Sequence, residues 1–132
     1  MNTELMRLRI LVGRNDSAGA AKFAGTLSDT YKTSPQFLNA IAWTMVSESA
    51  AGSTTFYAAA EKIAARASAA AQDKDPQILD TLARAQFLNG NKDAAIATEQ
   101  KAVDLAKEDG EKASYQRCLD SYQKGELPKV GQ

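Results

Sequence analysis

Histidine is absent from the 132-residue chain and cysteine occurs once. Those two shortages exclude a Cys/His zinc site, a Ser-His-Asp or Cys-His triad, a CxxC redox pair and an internal disulfide. Charge of one sign is lacking as well. Sixteen Lys and Arg balance sixteen Asp and Glu, so no global excess draws the chain toward nucleic acid or an acidic membrane surface. No apolar stretch is long enough to span a bilayer. The opening residues, with Glu4, Arg7, Arg9 and an apolar run of only Ile10 to Val12, do not form a signal peptide. Residence in the cytoplasm and export as part of a longer parent both remain open.

Strand-forming residues are also scarce. Four Val and five Ile stand against 25 Ala, which favours the best helix former over the β-branched residues of sheets. An all-α chain follows, and the length suits one domain or a short repeat array. With the usual catalytic constellations excluded, the chain is expected to be no enzyme, with neither cofactor nor metal.

An internal repeat organises the sequence. Pro35-Gln36-Phe37-Leu38-Asn39-Ala40-Ile41-Ala42 returns 41 residues later as Pro76-Gln77-Ile78-Leu79-Asp80-Thr81-Leu82-Ala83. Each Pro follows Ser34 or Asp75, a capping residue with Pro at the first helical position, where its missing N–H costs nothing. The apolar positions Leu38, Ile41, Ala42 and Met45, and then Leu79, Leu82 and Ala83, follow the spacing of a helix that buries one stripe. A second match, Ala60–Ala67 with Ala95–Ala102, has an offset of 35. The unit is therefore two helices of about 35 residues, and its first copy carries an inserted loop over 47–55. In the second copy the same junction is the compact Asn89-Gly90-Asn91, where Gly can take the left-handed conformation that ends a helix.

The spacing of Leu79, Leu82-Ala83, Gly90, Ala95-Ile96 and Ala102 resembles the tetratricopeptide repeat. The fit is strongest over 76–107 and extends to 35–71. Departures are Leu79 where the family often has Trp, Gln86 where it often has Tyr, and Lys107 in place of the closing Pro. Residues 35–122 are also similar to the C-terminal helical regions of bacterial thioredoxin-like proteins, through Leu38-Asn39-Ala40-Ile41-Ala42-Trp43 and Asp75–Arg84. The CxxC-bearing domain of those proteins has no counterpart here.

Leu5, Leu8 and Val12, then Ala20, Phe23, Ala24, Leu27 and Tyr31, make two stripes around the turn Asn15-Asp16. Tyr115, Cys118, Leu119 and Tyr122 make a last one. The expectation is a right-handed stack of about seven helices, three tetratricopeptide-like hairpins plus a cap. A degenerate repeat would fill 1–33, a looped one 34–73, the best one 74–109 and a capping helix 111–125, closing a single domain over 1–126 before a flexible tail at 127–132. Cys118 reads as a small apolar residue of the last stripe. The SxxK-like Ser121–Lys124 lies at a helix end without companion motifs. Asp73 and Asp75 resemble the start of a calcium loop, but Arg84 stands where a bidentate Glu is needed.

The resemblance to tetratricopeptide repeats implies a groove lined by the first helix of each hairpin. Its residues would be Asn39, Trp43 and Val46, then Gln77, Asp80, Thr81, Arg84 and Phe87. Trp, Phe and Arg are the types enriched in binding hot spots. The function this implies is non-catalytic binding of a protein or peptide, not nucleic acid or membrane. The alternative is a docking or self-association arm of a larger protein, with a homodimer as one outcome. Trp43 faces the groove in the first reading, and packs against Tyr31, the 47–55 loop or the first hairpin in the second. The carboxylate clamp of chaperone-binding relatives wants Lys and Asn where Asn39, Trp43 and Thr81 stand, which argues against capture of a C-terminal carboxylate.

Overall fold

A computed structural model describes residues 3–47 and 54–129. Seven α-helices, and no strand, occur among the described residues: α1 Thr3–Gly13, α2 Ser17–Thr30, α3 Pro35–Ser47, α4 Thr54–Ala70, α5 Pro76–Leu88, α6 Lys92–Leu105 and α7 Asp109–Gln123. The all-α expectation and the number of helices both hold. Of the inserted loop expected over 47–55, Ser47 closes α3 and Thr54 and Thr55 open α4, while 48–53 lie outside the described residues.

Local chemistry sets the helix starts. Both repeat prolines are first residues of their helices. Asp75 Oδ1 accepts from the backbone N–H of Gln77 at 3.0 Å and of Ile78 at 3.4 Å. Ser34 Oγ accepts from Phe37 N–H at 3.3 Å, and Asp16 Oδ1 from Gly19 N–H at 2.9 Å. Each cap satisfies donors that the first turn leaves without partners. Gly90 ends the α5 junction at φ 87°, a conformation an L side chain rarely adopts.

Consecutive helices pack on one another, and α1, α3 and α5 also touch in a row, as do α2 and α4. The main core runs from Leu8 and Val12 through Leu38, Ile41, Ala42, Met45 and Val46 to Ile78 and Ala85. Beyond α5 the apolar interior divides into two small clusters. One holds Leu79, Ala102, Val103, Tyr115 and Leu119, and the other Ala83, Ala95 and Tyr122. Leu127 packs on the second cluster, and Pro128 is buried. These two residues therefore do not begin a loose tail, contrary to the sequence reading, because Leu127 packs on the second cluster and the Pro128 carbonyl accepts from Arg84.

Ala83 and Ala95 are both fully buried where α5 meets α6. Ala83→Leu or Ala95→Leu should each lower stability by about 1–3 kcal/mol, since extra methylenes force close-packed helices apart. Thermal unfolding of either variant checks this. An unchanged midpoint for Ala83→Leu would contradict the packing of α5 on α6.

Candidate functional site

Between α3 and α5 lies a cleft of about 180 Å³, lined by Gln36, Asn39, Ala40 and Trp43 from one helix and Gln77, Asp80 and Thr81 from the other. It exists because the two copies of the repeat place equivalent polar positions side by side. Gln36 Nε2 donates to Asp75 Oδ2 at 3.3 Å, joining the start of α3 to the cap of α5. The Asn39 side-chain oxygen is buried and accepts no hydrogen bond from any donor among the described residues. Trp43 is half-buried, with the Arg84 guanidinium carbon 5.9 Å from its ring centroid, within cation–π range. A wider depression of about 660 Å³ lies near the α4–α5 and α6–α7 junctions, lined mainly by exposed side chains such as Lys74, Lys107, Glu108 and Glu111.

Five of the eight residues expected in the groove, Asn39, Trp43, Gln77, Asp80 and Thr81, line this cleft. Thr81 contributes little surface: it is buried and its hydroxyl donates back to the Gln77 carbonyl at 3.3 Å. Val46, Arg84 and Phe87 do not line it. Val46 lies in the main core, because α3 is flanked by α1, α2, α4 and α5 and is covered on more than one face. Arg84 is only 5% exposed, donating from Nε to the Val46 carbonyl at 2.8 Å and from Nη1 to the Pro128 carbonyl at 2.7 Å. Phe87 tilts against Tyr122 with ring centroids 5.0 Å apart, beside Leu127. The segment after α7 thus returns over this end of α5 and covers two of the positions expected to line the groove.

Arg84 also caps α3. The Val46 carbonyl belongs to the last turn, where a helix presents oxygens without intrahelical partners and a partial negative charge. One guanidinium fork therefore ties α3, α5 and the C-terminal segment together, which a single ammonium could not do.

Behind the cleft is a polar cluster that the sequence reading did not identify. Asp80 of α5, Glu99 of α6 and Cys118 of α7 bring two carboxylate oxygens and a sulfur within 4.8 Å of one another. Glu99 is 0% exposed, and neither of its oxygens receives a hydrogen bond from any donor among the described residues. Each member is flanked by core residues: Glu99 by Ala95, Ala102 and Val103, Cys118 by Tyr115 and Tyr122. The cluster is thus a polar layer between the two small apolar clusters, and Cys118 does not lie in a purely apolar stripe.

Burial, followed by the charge of Asp80, pushes the Glu99 carboxyl up to about 10. Burial also raises Asp80, against hydrogen bonds from Glu99 and Cys118 and the charge of Arg84, all of which favour its ionised form. The arrangement is therefore one carboxylate, Asp80, faced by a protonated carboxyl and a thiol. Burial and the two carboxyls push Cys118 up to about 12. A thiol so placed has almost no thiolate near neutral pH and is a poor nucleophile. Cys118 should consequently react with a thiol reagent at least about tenfold more slowly in the folded chain than after unfolding in urea. Labelling at equal rates would show that the thiol is not held in this environment.

No protein-family model, curated protein or solved structure matches the chain.

Proposed function

We propose that the chain is a non-catalytic, tetratricopeptide-like module that binds an extended peptide in the cleft between α3 and α5. The observation that carries this reading is the Asn39 side-chain oxygen, which lies buried behind the cleft wall and meets no donor among the described residues. An acceptor left in that state costs about 1–3 kcal/mol unless something supplies an N–H. Gln36 and Gln77 beside it add carboxamides that both donate and accept, the chemistry that a peptide backbone requires. The volume of about 180 Å³ is below the roughly 300–1,000 Å³ of small-molecule pockets and suits a side chain better than a cofactor.

The fold already holds one non-helical segment nearby, where Arg84 donates to the Pro128 carbonyl and Leu127 packs on Ala83, Ala95 and Tyr122. Because those donors of Arg84 are engaged and Asp80 lines the cleft, the preferred ligand is neutral or basic rather than acidic. Trp43 is the single tryptophan of the chain, so occupancy should shift its fluorescence. Panning a random peptide library against the chain supplies ligands for the test. Selected peptides should move Trp43 emission, and Trp43→Ala should weaken them by ~2 kcal/mol or more, roughly thirtyfold, in calorimetry. Peptides that bind equally well to Trp43→Ala and Asn39→Ala would remove the cleft from the function.

The alternative, a docking or self-association arm, has its own observation. Met6 and Ile10, one turn apart on α1, are 48% and 51% exposed, the large apolar side chains left open among the described residues. Sedimentation of the native chain beside a Met6→Asp, Ile10→Asp variant distinguishes the readings, since only docking through α1 would lose an assembly on that change.

A further inference from the structure

We infer that Asp80, Glu99 and Cys118 form a binding site for one zinc-class divalent cation, built where α5, α6 and α7 meet. The three donor atoms lie within 4.8 Å of one another. A tetrahedral zinc ion with Zn–S of about 2.3 Å and Zn–O of about 2.0–2.2 Å needs donors roughly 3.5 Å apart. Donors this close need only side-chain adjustment to reach that spacing. Each ligand comes from a different helix, and each is flanked by packed apolar residues that hold its backbone in place.

Glu99 supplies the independent observation that points to a ligand. Glu99 is fully buried and no donor among the described residues reaches either of its oxygens, so its polar surroundings are confined to Asp80 and Cys118. Its two companions are the groups that a cation would join to it. Two carboxylates and one thiolate form a mixed set that suits zinc or cobalt better than the hard, all-oxygen preference of calcium or magnesium. Asp80 also lines the open cleft, so ion and water can reach the site from there, and water can complete the coordination.

Charge balance is satisfied. A divalent cation replacing the protons of Glu99 and Cys118 leaves the net charge of the buried group unchanged, and two protons depart with no change in oxidation state. The other charged or titratable groups nearby are Arg84, which sits toward Asp80, and the Tyr115 and Tyr122 hydroxyls, which burial keeps protonated. The site is not the Cys/His type that the composition rules out, and it does not depend on peptide binding.

Cobalt(II) is the direct probe, added to chelator-treated protein in mildly alkaline buffer. The expected result is one equivalent bound, a near-ultraviolet sulfur-to-cobalt charge-transfer band and displacement of that band by zinc. Cys118→Ser should abolish the band. Glu99→Gln, which keeps the shape of the side chain, should weaken cobalt binding at least about tenfold, the lower range seen when even outer-shell partners of a metal are changed. Helical circular dichroism of both variants establishes that they fold. A wild-type chain with no band, or a Glu99→Gln variant that binds cobalt as tightly as the wild type, overturns the inference.

Discussion

Replacing Arg84 with Leu should lower stability by about 3–5 kcal/mol, the range for breaking a buried, hydrogen-bonded charge while its partners stay in place. Leu fills much of the volume but cannot donate. The Val46 and Pro128 carbonyls would lose bonds of 2.8 and 2.7 Å inside the fold, and the Asp80 carboxylate would lose its nearby cation. The damage should be uneven. With the Pro128 carbonyl released, the segment after α7 loses its anchor, so limited proteolysis should cut near 126–129 at denaturant concentrations where the wild type resists. Arg84→Lys should recover only part of the loss, because one ammonium cannot hold two carbonyls in the geometry of the fork. Urea unfolding of both variants measures this, and an Arg84→Leu chain within about 1 kcal/mol of wild type would mean that these bonds add little in solution.

The second large effect is an unusual dependence on pH, expected of metal-free protein in chelator. Most folded carboxyls are held below their unfolded values and lose stability in acid. Glu99 is displaced the other way, from 4.5 to about 10. Between those values the folded chain holds a proton that the unfolded chain has released. The contribution is therefore fully present below about 4.5 and is lost as pH rises through about 10. Each bound proton in excess gives a slope of up to about 1.4 kcal/mol per pH unit. Asp80, also raised, adds to the trend at the acid end. Stability should fall on the order of 3 kcal/mol from about pH 6 to about pH 9, and Glu99→Gln should flatten the profile. A wild-type profile level over that interval would show that Glu99 is ionised in the fold.

Much of the fold was legible because it is written in local signals. Ser34-Pro35 and Asp75-Pro76 mark helix starts, Gly90 marks a stop, and the last helix expected over 111–125 is Asp109–Gln123. The repeat also located most of the cleft, since equivalent positions on α3 and α5 face one another. What escaped depends on the number of neighbours. Val46 stands next to a stripe and is buried because helices cover α3 on several sides. Arg84 looked like a surface anchor, and its partners are 38 and 44 residues away. Leu127 and Pro128 are too few to show a periodicity. Glu99 left the clearest unused trace: it occupies the same stripe as Ala95 and Ala102, an acid where an apolar residue belongs. Its companions Asp80 and Cys118 come from other helices, and no spacing along one segment connects them.

The unequal division of the interior has a consequence for how the chain is made. The main core draws its residues from Leu8 to Ala85, so it can close as soon as α5 has left the ribosome, before α6 and α7 exist. Domains synthesised from the N-terminus tend to fold in that order. The last two helices then add to a finished surface on which Asp80 and Arg84 are already displayed, and the guanidinium must keep its water until Pro128 arrives. The polar cluster is thus completed after the main core, and the clasp on Pro128 follows it.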